Sequence, residues 1–349
     1  MARPRSRILV WTGRVLIGVV GLVLAILLFG ALFEIHAQRE AARIYPPPGR
    51  LIDVGGGRRM HIDCRGRGAP TVVLQAGLDT TGSLGWRLVQ DKIAGFTRTC
   101  SYDRAGIMWS DPPTHAPDDV SINGDLHVLL HNAGEVAPFV LVGHSLGGPL
   151  ILDYTRRYGD EVAGLVFVDP SHPDQMARFK KAGFDPNPSL GPLEALAALS
   201  WTGWTRLPVN LGSPDHFPAD AAPPARAYLS KSVGGATAEA VALPTLFGQA
   251  GAGLATDPHP LGDRPTIVLT ALKPYPAALL KTLKISPAAN AGRVREWIAM
   301  HDEEAAWSTR GSQLHVPDAS HYIQLDRPDL VVGAVKDVVT AVRAKAAGG

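Results

Sequence analysis

Val140-Leu141-Val142-Gly143-His144-Ser145-Leu146-Gly147-Gly148 is the stretch on which the fold turns. Together with Phe139 it opens as an unbroken apolar run, passes within two residues into Gly-x-Ser-x-Gly, and continues into a helix-compatible segment. A strand that turns this sharply into a helix holds the residue at the bend in strained backbone geometry, its side chain exposed above the sheet. Gly143 and Gly147 lack Cβ and so let the neighbouring backbones pass closely. Ser145 then projects at a helix N-terminus, where the dipole and free N–H groups stabilise developing negative charge. The segment is not Gly-x-Gly-x-x-Gly, and no Gly-Lys-Ser/Thr follows as a phosphate loop needs. The reading without chemistry is a tight turn carrying an incidental serine.

Outward from this point, strand-like and helix-like runs alternate. Strands are expected at 51–54, 60–64, 71–75, 97–102, 139–142, 164–168, 266–270 and 313–316. Several are apolar throughout, as in Leu165-Val166-Phe167-Val168, which suits a parallel sheet covered on both faces. Helical patterns lie at 84–93, 122–131, 146–158, 294–307 and 328–342, with Pro328 suited to a first turn. The alternation indicates an α/β sandwich. Residues 171–263 break the rhythm with 12 prolines and no convincing strand, although 193–201 and 219–233 look partly helical. An insertion this long in a compact sheet fold suggests a lid, where substrate choice would be made.

Glycine and proline number 37 and 29 of 349 residues, rich in turns but short of low complexity, and no repeat marks a solenoid or a propeller. The formal net charge of +2 conceals an asymmetry. Arg3, Arg5, Arg7 and Arg14 precede any acidic residue, and the chain beyond residue 33 holds 30 basic against 32 acidic side chains. That balance supplies no basic face for nucleic acid. Residues 15–33 are 19 in a row without a charge, about 28 Å of helix at about 1.5 Å per residue, close to the hydrocarbon thickness of a bilayer. The arginines before the run, with Trp11 at interface depth, place the N-terminus in the cytoplasm and residues 34–349 outside it. A cleaved signal peptide is the competing reading, but its apolar region is shorter and Ile35-His36-Ala37 makes a poor cleavage site. The chain thus divides into a basic segment 1–14, a transmembrane anchor 15–33, a linker 34–49 containing Tyr45-Pro46-Pro47-Pro48-Gly49, a core of 50–170 and 264–349, and the insertion 171–263. The two cysteines, Cys64 and Cys100, read in an exported domain as a single disulfide, the alternative being two unrelated buried thiols.

These features resemble the α/β-hydrolase superfamily, in particular its serine esterase and lipase-like members, over roughly residues 50–342. Beside the serine turn, Tyr102-Asp103-Arg104-Ala105-Gly106 resembles the family's Asp-Arg-x-Gly segment, 162–172 its sixth strand and turn, and Ser320-His321-Tyr322 its catalytic-histidine loop. Two positions depart from the pattern: Met108 stands where a glycine is usual, and Pro149 lies in the first turn of the nucleophile helix. The resemblance implies a mostly parallel eight-stranded sheet with helices on both faces and a mainly helical lid after the sixth strand. It implies Ser145 as nucleophile and His321 as its base, in the chain order Ser, Asp, His. His144, His172, His301 and His315 are lesser candidates for the base.

The acid is the harder assignment. No carboxylate follows the seventh strand run, where most members carry it; the family's other location, the end of the sixth strand, holds Asp169. Asp302 and Glu303 are the runners-up. Two backbone N–H groups should hold the oxyanion, that of Leu146 and, by resemblance to the family's His-Gly-x turn, that of Leu78 in Gln75-Ala76-Gly77-Leu78-Asp79. The second strand of this superfamily lies antiparallel beside the fourth, which implies a Cys64–Cys100 disulfide. No cofactor or metal is implied: two cysteines cannot build a zinc site alone and no His-Glu-x-x-His occurs. Trp201, Trp204, Phe217 and Phe247 line an acyl or alcohol pocket or form the lid's own small core. The expected activity is hydrolysis of a small-molecule carboxylic ester, with lipase, thioesterase, peptidase, acyltransferase or a non-catalytic binding protein as alternatives on the same scaffold. Oligomeric state is left open.

Overall fold

The computed structural model describes residues 5–184, 190–207, 216–282 and 284–348. Eight strands form one sheet: β1 (Arg50–Gly55), β2 (Arg58–Arg65), β3 (Thr71–Gln75), β4 (Thr99–Tyr102), β5 (Phe139–His144), β6 (Val162–Val168), β7 (Thr266–Ala271) and β8 (Gly311–Val316). Their order across the sheet is β1-β2-β4-β3-β5-β6-β7-β8, with β2 antiparallel to both neighbours and the rest parallel. Every strand expected from the sequence is present, displaced at its ends by a residue or two.

The helices are α1 (Arg5–Ile44), α2 (Arg87–Ala94), α3 (Asp119–Ala133), α4 (Gly147–Arg157), α5 (Gln175–Lys181), α6 (Gly191–Ala198), α7 (Ala222–Ala227), α8 (Leu229–Gly251), α9 (Ala277–Thr282), α10 (Pro287–Ala306), α11 (Ile323–Asp326) and α12 (Pro328–Gly348). Alternate strand residues enter two cores. Leu141, Leu165 and Phe167 pack with Leu126, Leu129 and Ile151 of α3 and α4. Val140, Val142, Val166 and Val168 pack with Val89 and Ile93 of α2 and Val335, Val338 and Val339 of α12. Cover on both faces is the reason these strands read as continuous apolar runs rather than alternating ones.

Cys64 and Cys100 stand opposite one another in the β2–β4 ladder and are bonded, as the resemblance implied. Helix α1 departs from expectation. It does not give way to a linker at residue 34 but continues to Ile44, because no residue between them breaks a helix and Glu40 pairs with Arg43 one turn on. It stops just before Pro46-Pro47-Pro48. Its apolar stretch is long enough to cross a membrane, and none of its most apolar 18 residues is buried.

The chain between β6 and β7 carries α5 to α8, with no strand among the described residues. The sequence pattern expected a helix ending near 233, yet α8 runs on to Gly251 through Gly234-Gly235 and past Pro244. Burial of Val233, Gly235, Thr237, Glu239, Ala240, Leu246 and Phe247 against the core outweighs these weak helix formers. One buried ion pair ties α8 to the sheet: Arg104, in the turn after β4, donates through Nε and Nη2 to Glu239, both at 2.7 Å. Breaking a buried pair by removing one partner leaves an uncompensated charge. Glu239→Ala is therefore expected to destabilise the chain by about 3–5 kcal/mol, read as an earlier urea midpoint. Cys64→Ala with Cys100→Ala opens a 36-residue loop, and chain entropy sets its expected cost at about 4 kcal/mol, read in the same melt.

Candidate active site

Strand β5 ends at His144 and α4 begins at Gly147, so the bend falls on Ser145. Its φ is 52°, in the left-handed region that costs a non-glycine residue about 1–2 kcal/mol. The bend is held from outside: Ser145 N–H donates to the Val168 carbonyl at the end of β6, and the Ser145 carbonyl accepts from the N–H of Gly148 and of Ser171. A Cβ on Gly147 would meet the Gln75 carbonyl oxygen at 2.6 Å, so only glycine lets the helix start this close to β3. Pro149 lies within the first turn of α4, where the missing N–H breaks no interior helical bond. The Ser145 hydroxyl is partly exposed and has no hydrogen-bond partner among the described residues.

Asp169 follows β6 directly and lies 3% exposed. His321 Nδ1 donates to its Oδ2 at 2.6 Å. Its other oxygen, Oδ1, accepts from the Ala271 N–H at 2.8 Å and from Trp297 Nε1 at 2.9 Å. Burial pushes this carboxyl up, but the bond and charge of His321, the nearby His301 and the Ala271 N–H outweigh it and hold it below the usual aspartate range. With Nδ1 committed to Asp169, Nε2 is the nitrogen left for another group, and among the described residues it has no partner.

The runners-up for the acid are elsewhere. Asp302 is exposed on α10, and Glu303 accepts from Arg178 at 2.6 Å. Of the other histidines, His315 is exposed on β8, and His172 is buried with its Nδ1 accepting the Asp174 N–H. His301 lies behind Asp169, its Nε2 donating to the Pro170 carbonyl at 3.0 Å and its Nδ1 paired with Thr270 Oγ1 at 2.9 Å.

His144 has a part that the sequence reading did not give it. Its Nε2 donates to the carbonyl of His321 at 2.8 Å, and the two rings lie 4.7 Å apart. Burial, then the nearby His321, push its pKa down to about 3, so the ring is neutral and one nitrogen carries the proton that the carbonyl requires. The residue immediately before Ser145 thus holds the loop that carries His321.

The loop after β3 lies against the same bend. A Cβ on Gly77 would meet His144 Nδ1 and Ser145 Cβ, each at 2.9 Å. Arg104 donates to the carbonyls of Ala76 and Gly77, both at 2.6 Å. The Gly77 carbonyl and the Leu78 N–H belong to one trans peptide, so fixing the first aims the second the opposite way. Neither Leu78 N–H nor Leu146 N–H has an acceptor among the described residues. Leu78 and Leu146 pack with Leu246 and Phe247 of α8. Phe217 joins a different cluster, with Ile107 and Trp109. Trp204 donates to the Leu196 carbonyl, and Trp201 is largely exposed. Met108, in the glycine's usual place, adopts φ 43° and is held by Ser232 Oγ on its N–H and by full burial of its side chain.

The Alpha/beta hydrolase family matches residues 42–334. Among curated proteins, the 2-hydroxymuconate semialdehyde hydrolase of Pseudomonas sp. strain CF600 is 30% identical over 124 residues, 35% of this chain and 44% of that protein. The chain spans about half or less of the length of the curated relatives it matches. A probable hydrolytic enzyme from Pseudomonas aeruginosa PAO1 superposes with a TM-score of 0.60 at 21% identity, covering 84% of this chain and 95% of that one. A thermophilic esterase from Thermogutta terrifontis does so with a TM-score of 0.55 at 19% identity, covering 84% and 97%. At these identities the structural likeness speaks for the fold, and the sequence match over residues 42–334 carries the classification: the chain is a member of the alpha/beta hydrolase family.

Proposed function

We propose that the chain is a membrane-anchored serine hydrolase of carboxylic esters whose catalytic part lies outside the cytoplasm. The observation that carries this reading is the 2.6 Å bond from His321 Nδ1 to Asp169, which leaves Nε2 without a partner among the described residues, on a loop tied to His144, the residue before the strained Ser145. Ser145 Oγ attacks the ester carbonyl while His321 Nε2 takes its proton, and Asp169 holds the imidazole in the required tautomer. The Leu78 and Leu146 N–H groups receive the charge that develops on the carbonyl oxygen. The imidazolium returns its proton to the departing alcohol, leaving an acyl-enzyme, which water attacks by the same route in reverse. The esterase and enol-lactonase among the structural neighbours support ester-type chemistry. The four arginines ahead of the apolar run support the orientation of the anchor.

Ser145→Ala is expected to abolish hydrolysis of p-nitrophenyl acetate and labelling by a fluorophosphonate probe, and a variant that hydrolyses at the parent rate defeats the assignment. Trp297→Phe keeps the bulk and removes one donor to Asp169. A charge-assisted bond of this kind is worth about 1.5–3 kcal/mol, so kcat is expected to fall by about tenfold or more with KM little changed.

Acid should also loosen the fold. His144 and His172 have pKa values pushed to about 3, mainly by burial, and His301 is lowered for the same reason. Below the ordinary imidazole value of about 6.5, the unfolded chain binds protons that these rings in the folded state refuse, so stability rises with pH across that window. Their contribution is fully present above about pH 6.5 and is progressively lost down to about pH 3. Thermal melts taken from pH 7 to pH 4 should show Tm falling steadily, and a flat profile contradicts the neutral buried rings.

A further inference from the structure

Helix α6 is apolar and packs only lightly against α8 on one side, its leucines left exposed. None of its residues is buried, and Leu193, Leu196 and Leu199, spaced three apart, are 38%, 43% and 46% exposed, followed by Trp201 at 47%. A water-facing helix normally turns a polar face outward; this segment instead presents a stripe of leucines and an indole.

The same segment lies against α1. A Cβ on Gly30 would come within 2.5 Å of the Thr202 carbonyl oxygen, and one on Gly203 within 3.1 Å of Phe33. That contact sets its depth. Gly30 is six residues beyond Leu24, the middle of the uncharged run, or about 9 Å along the helix at about 1.5 Å per residue. The half-thickness of a hydrocarbon core is about 15 Å, so the turn at 200–203 falls about 6 Å below the hydrocarbon boundary on the outer side.

The polar groups suit that depth. Thr202 Oγ1 donates to the Leu199 carbonyl and Trp204 Nε1 to the Leu196 carbonyl, both at 2.8 Å. The N–H groups of Leu199, Thr202 and Gly203 are bonded within the turn. Backbone that enters lipid must be satisfied internally in this way. Glu34, the first charge after the apolar run, is buried, with Arg206 on it at 2.6 and 2.9 Å and Ser230 and Gln38 also donating. The remaining charge on residues 190–207 is Glu194, in the first turn of α6, about 100° around the helix from Leu193.

We infer that α6 and the turn after it form a second, monotopic membrane contact, with Leu193, Leu196, Leu199 and Trp201 in the outer leaflet beside the anchor. The inserted segment between β6 and β7 thus rests on the bilayer, and the face it presents there is made for lipid. This inference rests on reading α1 as an uncleaved span.

Nitroxide labels on the full chain in phosphatidylcholine vesicles test both, at Leu196→Cys and Trp201→Cys, with Leu22→Cys in the apolar run and Val136→Cys in the exposed turn between α3 and β5. Collisions with oxygen report lipid and collisions with a water-soluble nickel chelate report solvent. The expected result is oxygen-dominated relaxation at 22, 196 and 201, and nickel-dominated relaxation at 136. Oxygen dominance at 22 with nickel dominance at 196 and 201 overturns the second contact and leaves the span standing. Nickel dominance at 22 as well overturns the span, and the contact with it.

Discussion

A carboxylate shut away from water has to be met by donors, and Asp169 is met from three directions. The loop carrying His321, the end of β7 and α10 each send one group to it. These elements are separate in the chain, so the buried charge acts as the point at which they converge. It does so at the carboxyl edge of a parallel sheet, where side chains following the strands meet in space. His144 adds a fourth tie, joining the residue before Ser145 to the backbone of His321. The geometry around the serine is in this sense over-determined, as a residue held at φ 52° requires.

A second buried charge organises the other side of the bend. Arg104 spends four of its five N–H groups on two loop carbonyls and one carboxylate from α8. The segment after β4 thus has a structural use in this chain, fixing the loop after β3 and holding α8. A planar fork with several donors can orient a peptide and pair with a carboxylate at once, which a lysine cannot.

The sheet was legible because strands covered on both faces carry unbroken apolar runs, and the bend was legible because Gly143 and Gly147 bracket a serine. Asp169 was legible as the charge at the end of such a run, and the disulfide through the resemblance. Other features carry no local signal. Helix α8 is punctuated by Gly234-Gly235 and Pro244, and only tertiary burial makes it continuous. The extension of α1 to Ile44 was hidden by the first charges after the apolar stretch, which read as the start of a linker. The partnership of Glu34 with Arg206 spans 172 positions and depends on the fold being complete. Trp297 and His144 likewise serve through one nitrogen each, whose target is set by distant residues.

Gly106 and Gly235 meet backbone to backbone, where a Cβ on the second would come within 2.8 Å of the carbonyl of the first. Helix α8 therefore bears on the turn after β4 with nothing between them to yield. At that contact no side chain separates the two backbones, so α8 is fixed in its distance from the sheet by the absence of a Cβ. The side chains that α8 turns toward Leu78 and Leu146, Leu243, Leu246 and Phe247, are thereby held at a set distance from the bend that carries Ser145.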